Sequence, residues 1–82
     1  MLVELHTKDK VVGIKQLKKA LAEGRAKKVF AAGDADPKLT DPILERCREA
    51  GVEVEQVPTM AELGKACGIE VGAAVAALLR SL

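Results

Sequence analysis

The sequence predicts a single α/β domain across residues 1–82, with helices packed on both faces of a β-sheet. Short apolar segments alternate along the chain with amphipathic segments of about ten residues, which is the pattern of strands followed by helices. Capping and turn residues separate these segments, so that most elements have a defined beginning or end. A chain of 82 residues leaves no room for a second domain.

The first helix is predicted over residues 14–23. Apolar residues recur there at helical spacing, among them Leu17, Ala20 and Leu21, and Gly24 follows as a C-terminal stop. Because these apolar residues share one side, that side is expected to pack on the sheet.

Two further helices are predicted from their capping residues. Asp41 followed by Pro42 is a good N-cap and first-turn pair, and the apolar stripe after it ends at Gly51. Thr59 and Glu62 form a capping-box pattern that opens a third helix.

Strands are predicted between these helices. Lys10–Val12 is expected to be a brief edge strand, residues 28–32 a buried strand and residues 52–57 a half-buried strand. Residues 73–79 are continuously apolar, so their pattern fits a buried strand and a buried helix equally. Residues 2–6 are too short a segment for a prediction.

Charge is unevenly distributed although the net charge of the chain is only +1. Residues 1–30 contain eight basic and three acidic residues, a net charge of +5, whereas residues 31–82 contain five basic and nine acidic residues, a net charge of −4. This division indicates one basic face for a polyanion. A solvated surface without a partner explains the same count equally well.

Several functional classes are disfavoured by what the sequence lacks. Neither GxGxxG nor GxxxxGK[ST] is present, which excludes nucleotide binding by those motifs. His6 is the only histidine and has no triad partner at a typical spacing. Cys47 and Cys67 have no partner at metal-ligand spacing and are expected to be reduced, buried packing residues. Phe30 is the only aromatic residue, which argues against reading single strands by stacking.

The chain is expected to be cytoplasmic and to have no membrane partner. Its N-terminus carries no signal-peptide pattern. The apolar residues 73–79 fall far short of the roughly 20 needed to cross a bilayer.

The start of the first helix is one candidate site. Lys15, Gln16 and Lys19 fall within about one third of the helical wheel, opposite the apolar side. Free backbone N–H groups and the positive end of the helix dipole add attraction for phosphate. Gly13 lets a nucleic-acid backbone approach closely, although a plain turn glycine is equally natural. Taken alone, these residues favour a solvated face over a binding surface.

A second candidate is the segment GIEVG. Ile69, Glu70 and Val71 lie between Gly68 and Gly72, so two apolar side chains fall in a loop. Apolar side chains exposed there would need a partner. Turned inward, they would begin the last strand, and composition alone supports that alternative at least as well.

The third candidate is the acidic loop of Asp34 and Asp36. Paired carboxylates can bind Mg²⁺ or act as acid and base. These two lie within one turn, and no further acid or histidine stands at ligand spacing. Turn-forming side chains are therefore the favoured interpretation.

The C-terminal third resembles a known family. LGKACGIEVGAAVAAL, residues 63–78, is closely similar to the signature of the ribosomal protein L7Ae/L30e family. VGIKQLKKAL, residues 12–21, looks like its RNA-contacting helix start, and AGDADP, residues 32–37, looks like its acidic loop. The resemblance covers residues 10–80 and is strongest to the short L7Ae-like proteins of Gram-positive bacteria, which likewise carry Lys-Gln after the glycine.

The resemblance implies a fold and an activity. The family fold is a three-layer α/β/α sandwich around a mixed four-stranded sheet, which makes residues 73–79 a strand. The family binds the kink-turn, a bent internal loop of RNA with sheared G·A pairs and one extruded nucleotide. A monomeric RNA-binding protein without catalysis or cofactor is therefore expected, with ribosomal or riboswitch RNA as its partner and association with the ribosome.

The resemblance also assigns roles to residues. The helix motif meets the G·A pairs, the acidic loop lies near the extruded nucleotide, and the GIEVG loop packs on that nucleotide. Two more lysines are expected to attract phosphate. The helix motif comprises Gly13, Lys15, Gln16 and Lys19, the acidic loop contributes Asp36, and the GIEVG loop contributes Ile69, Glu70 and Val71. The two lysines expected to attract phosphate are Lys18 and Lys28.

One departure concerns Lys15 and Gln16, since archaeal and eukaryotic members usually have Asn then Glu there. A carboxylate accepts from guanine, whereas Gln16 is a weaker neutral acceptor and Lys15 can only donate, so affinity or the tolerated kink-turns are expected to differ.

Two other functions stay open at this point. The chain could be a protein-interaction or accessory module of a ribosomal or RNA-modification assembly, without strong affinity of its own for kink-turns. A small enzyme using Asp34 and Asp36 would need convergent residues that the sequence does not supply.

Overall fold

The computed structural model of the protein describes residues 9–80. Within these residues, four strands alternate with three helices as the sequence predicts. In chain order they are β1 (Lys10–Val12), α1 (Ile14–Ala22), β2 (Ala26–Ala32), α2 (Pro37–Ala50), β3 (Glu53–Val57), α3 (Met60–Ala66) and β4 (Val75–Leu79). The segment 2–6 and His6 lie outside the described residues.

The four strands form one mixed sheet in the order β1-β4-β2-β3. β4 is antiparallel to both of its neighbours, whereas β2 and β3 are parallel. Consequently β1, β2 and β3 all run in one direction and β4 runs in the other. Residues 73–79 therefore contain a strand, and the expected mixed four-stranded sheet is confirmed.

Two apolar cores, one on each face of the sheet, make the fold a three-layer sandwich. Alternation along the strands divides them: Val29 and Val75 face α1 and α2, whereas Phe30 and Ala76 face α3. The helices supply complementary apolar sides, with Leu17 fully buried in the first core. The predicted α/β/α architecture is confirmed.

The start of α2 differs from the prediction. The helix begins at Pro37, with Asp36 as its N-cap, and Pro42 lies inside it instead of in its first turn. Asp36 followed by Pro37 is the same cap signature as Asp41 followed by Pro42, and the chain uses the earlier pair. The extra turn buries Thr40, and the helix ends at Gly51 as expected.

β3 is an edge strand and is less buried than its sequence pattern suggests. Val57 is buried, but Val54 is 37% exposed on this strand, which pairs with β2 on one side only. The other strands agree with the prediction more closely: β1 is a short edge strand and β2 extends two residues beyond residues 28–32. No helix among residues 9–80 is long and apolar enough to span a membrane.

Candidate functional site

The candidate segments lie together at one end of the sheet, which is called the site edge here. β1, β2 and β3 end at this edge and β4 begins there, so α1, α2 and α3 all start from it. Backbone hydrogen bonds join the segments: the Gly13 N–H donates to Val75 O at 3.0 Å, and the Ala32 N–H donates to Ala74 O at 2.9 Å. The beginning of α1 and the loop that enters β4 are therefore neighbours, although 60 residues separate them.

Gly13 shapes the beginning of α1. Its backbone, at φ 103° and ψ 157°, occupies a region that is almost restricted to glycine. No side chain caps the helix and no acidic residue stands in its first turn, as far as the described residues go. No carboxylate of this helix therefore neutralises the free N–H groups of its first turn or the positive end of its dipole.

The polar side of α1 is exposed as predicted. Lys15, Gln16, Lys18 and Lys19 are all exposed, whereas Leu17 lies in the core. Within residues 9–80, none of the three lysines takes part in an ion pair. Three cations and one amide consequently project from this helix into solvent.

The acidic loop is used for local hydrogen bonding. Asp34 Oδ1 accepts from the Met60 N–H at 2.7 Å, which fastens the loop to the first residue of α3. Asp36 Oδ1 accepts from the Lys38 N–H at 2.9 Å as the cap of α2. Both contacts agree with the favoured interpretation as turn and cap residues. The described residues contain no group of three or more potential metal-binding side chains.

The GIEVG loop holds its apolar residues outward. Val71 is 71% exposed and Ile69 is 36% exposed, and Glu70 is exposed as well. Val71 precedes β4 by several residues, so these side chains do not begin the last strand. The alternative in which they turn into the core is therefore wrong.

Comparison with known proteins identifies the family. The sequence profile of the ribosomal protein L7Ae/L30e/S12e/Gadd45 family matches residues 2–81. The chain belongs to this family. The resemblance drawn from residues 63–78 is thereby confirmed.

Relatives of this L7Ae-family protein include short bacterial proteins of similar length. It is 51% identical over 70 residues to an RNA-binding protein of Geobacillus sp. (strain WCH70), covering 85% of each chain. It is 41% identical over 68 residues to the large ribosomal subunit protein eL8 of Halobacterium salinarum, covering 82% of this chain and 57% of that one. Among solved structures, a Giardia lamblia 15.5kD RNA binding protein superposes with a TM-score of 0.87 at 26% identity, covering 98% of this chain and 69% of that one.

The structure does not bring Lys28 to this edge. Lys28 lies near the amino end of β2, on the face that carries Phe30, so the whole sheet separates it from α1. Its Nζ is 3.0 Å from Glu55 Oε1 and 3.4 Å from Glu53 Oε2, and it stands 5.1 Å above the centre of the Phe30 ring. These contacts occupy the ammonium that was expected to attract phosphate.

Two residues of the site were not recognised from the sequence. The Met60 N–H donates to the Asp34 carboxylate, and Gly64 lies under the GIEVG loop. The available signal for Gly64 was its position in the interior of a capped helix, where glycine is unfavourable unless something approaches closely.

The two cysteines are packing residues, as predicted. Both are free and buried. Burial raises the pKa of the Cys47 thiol, and it raises that of Cys67 despite the opposing charge of Lys10. Thiols with raised pKa values are poor nucleophiles at neutral pH.

Proposed function

We propose that this L7Ae-family protein binds kink-turn RNA and catalyses no reaction. The observation that carries the proposal is that a cationic helix start and a loop with exposed apolar side chains lie at the same sheet edge. Membership of the family and similarity to the RNA-binding proteins of Geobacillus and Giardia support RNA as the partner.

Each part of the edge suits a different part of a bent RNA. Lys15, Gln16 and Lys19 present donors that can meet guanine acceptors in an opened groove. Ile69 and Val71 offer an apolar surface for the face of an extruded base, with no aromatic side chain required. Phe30, the one aromatic residue, is fully buried and unavailable for stacking.

The proposed mechanism is conformational capture. Kink-turn RNA exchanges between open and bent forms, and both halves of the site can be occupied together only by the bent form. The protein therefore has a higher affinity for the bent form and shifts the RNA toward it. No proton transfer or bond cleavage is involved, so no cofactor is needed.

Binding to paired RNAs tests this function. A kink-turn and a control of equal length with its G·A pairs replaced are titrated at one salt concentration, because phosphate contacts make any affinity salt-dependent. We expect tight binding to the kink-turn and only weak, salt-sensitive binding to the control. Equal affinity for the two RNAs would contradict kink-turn recognition.

We further propose that the protein acts as a cytoplasmic monomer on ribosomal or riboswitch RNA. The eL8 relative supports a ribosomal partner. Sedimentation of the protein alone tests the monomer. Cosedimentation with intact ribosomes is compared with binding to isolated kink-turn RNA. A direct RNA-binding protein would bind the isolated RNA, whereas an accessory module would bind only the assembled ribosome.

A further inference from the structure

The GIEVG loop lies directly against α3 at a glycine. Gly64 is buried within α3, and a Cβ atom on it would collide with the carbonyl oxygen of Val71. That Cβ would also stand only 3.1 Å from Gly72 Cα. Only the absence of a side chain at position 64 lets the loop backbone approach this closely.

Two backbone hydrogen bonds fix the same loop at its ends. The Ile69 N–H donates to Gly64 O at 3.1 Å, and the Ala73 N–H donates to Met60 O at 3.0 Å. The loop is thereby attached to an interior residue and to the first residue of α3, with Val71 between the attached Ile69 and Ala73.

Asp34 connects α3 to the loop that follows β2. Its carboxylate accepts the Met60 N–H at 2.7 Å, so Met60 is bonded through its N–H to the loop after β2 and through its carbonyl to Ala73. A continuous series of contacts thus runs from the acidic loop through α3 to the GIEVG loop.

Without such support, exposed apolar side chains on a glycine-flanked loop would be expected to fold back onto the protein. The contacts instead hold Val71 at 71% exposure before any partner is present. A preformed surface avoids the entropic cost of ordering the loop during binding.

We propose that Gly64 and Asp34 are positioning residues: they hold Ile69 and Val71 in the orientation that binds RNA, without contacting RNA themselves. This inference rests on the proposed function of the GIEVG loop. It assigns Asp34 a different part from Asp36, although both belong to one acidic loop.

Asp34→Ala and Asp34→Asn test the first half of the proposal. Alanine removes the acceptor for Met60, whereas asparagine keeps an acceptor oxygen. In the RNA-free protein, we expect Asp34→Ala to speed amide exchange at Ala73 and Ile69 by about tenfold or more. Asp34→Asn and the control Asp41→Ala, an exposed position on α2, should remain within about twofold of the wild type.

Gly64→Ala tests the second half. Its control is Ala61→Gly, at an exposed position of α3, which weakens the helix without touching the loop. We expect Gly64→Ala to weaken kink-turn affinity about tenfold or more and Ala61→Gly to change it less than about threefold. If Gly64→Ala fails to fold, the Asp34 variants still decide the proposal through the exchange measurement.

A double-mutant cycle with Val71→Ala shows whether Asp34 acts through the loop. We expect the affinity lost in Asp34→Ala to shrink to less than about twofold once Val71 is already alanine. Unchanged exchange at Ala73 in Asp34→Ala, or full additivity in the cycle, would overturn the positioning role. If exchange changes while the wild type fails to prefer the kink-turn, the proposed function is wrong and the support of the loop stands.

Discussion

The lysines of α1 and Lys28 of β2 are the same residue type in very different surroundings. Lys15, Lys18 and Lys19 are exposed and take part in none of the ion pairs found within residues 9–80. Lys28 has only 14% of its side chain exposed, bridges two glutamates and covers the ring of Phe30. The basic first part of the sequence therefore contains two kinds of lysine. Those of α1 are exposed to solvent, whereas Lys28 is held by contacts within the folded protein.

Sheet register explains the difference. The parallel pairing of β2 with β3 places Lys28 opposite Glu53 and Phe30 opposite Glu55, so the two carboxylates surround the ammonium from the neighbouring strand. Those glutamates are 25 and 27 residues away along the chain. No count of local charge contains this information.

The largest expected effect is that of Lys19→Ala on RNA affinity. The exposed ammonium at the centre of the basic face should contribute to discrimination, so its loss should cost on the order of 1–3 kcal/mol against a kink-turn. A gel-shift titration measures this loss.

Lys27→Ala is the matched control for Lys19→Ala. It removes the same charge from an exposed position near the amino end of β2, away from the site edge. Equal losses in the two variants would mean that only net charge matters, and the comparison between lysines would fail for RNA binding.

Lys28→Ala should act mainly on stability. Loss of the ion pairs, the cation–π contact and the packing of the side-chain stem should lower the free energy of unfolding by about 1–2 kcal/mol. Urea denaturation measures the change, again with Lys27→Ala as control. A kink-turn affinity that drops as far as in Lys19→Ala would restore Lys28 to the binding surface.

Lys18→Ala should have a smaller effect that depends on salt. As a phosphate-attracting residue it should reduce the slope of log affinity against log salt by about 1, with little change in preference for the kink-turn over its control. Titrations at several salt concentrations give the slope. An unchanged slope would place Lys18 outside the electrostatic contact.

The smallest effects should separate the two glutamates. Glu55 lies closer to Lys28 and is 35% exposed in its side chain, against 71% for Glu53. Each pair should contribute within the range of about 0.2–1 kcal/mol, with Glu55→Gln the more destabilising. The reverse order in thermal unfolding would show that distance and burial do not rank these two pairs.

Much of the fold follows from local patterns in the sequence. The periodicity of α1 and the capping of α3 by Thr59 are local signals, and the structure confirms both elements. The Thr59 Oγ1 accepts from the Glu62 N–H at 3.1 Å, as the capping box predicts. The exposure of Lys15, Gln16 and Lys19 likewise follows from the helical wheel.

The remaining features depend on contacts between distant residues. The pattern of residues 73–79 fitted a buried strand and a buried helix equally. Their pairing with β1 on one side and β2 on the other distinguishes the two. Asp36 and Asp41 carry equal cap signatures, so the local pattern alone does not show which of them begins α2. The close approach to Gly64 and the pairing of Lys28 likewise join segments that the sequence does not show as neighbours.

The position of β4 has a consequence for synthesis of the protein. β4 is the last of the described strands along the chain, yet it lies between β1 and β2 and holds four buried residues in succession. The ribosome therefore makes β1, β2 and β3 before the strand that joins β1 to the others exists. We expect the nascent chain to stay unable to complete its sheet until β4 has left the exit tunnel, which makes folding of this domain a late event dominated by long-range pairing.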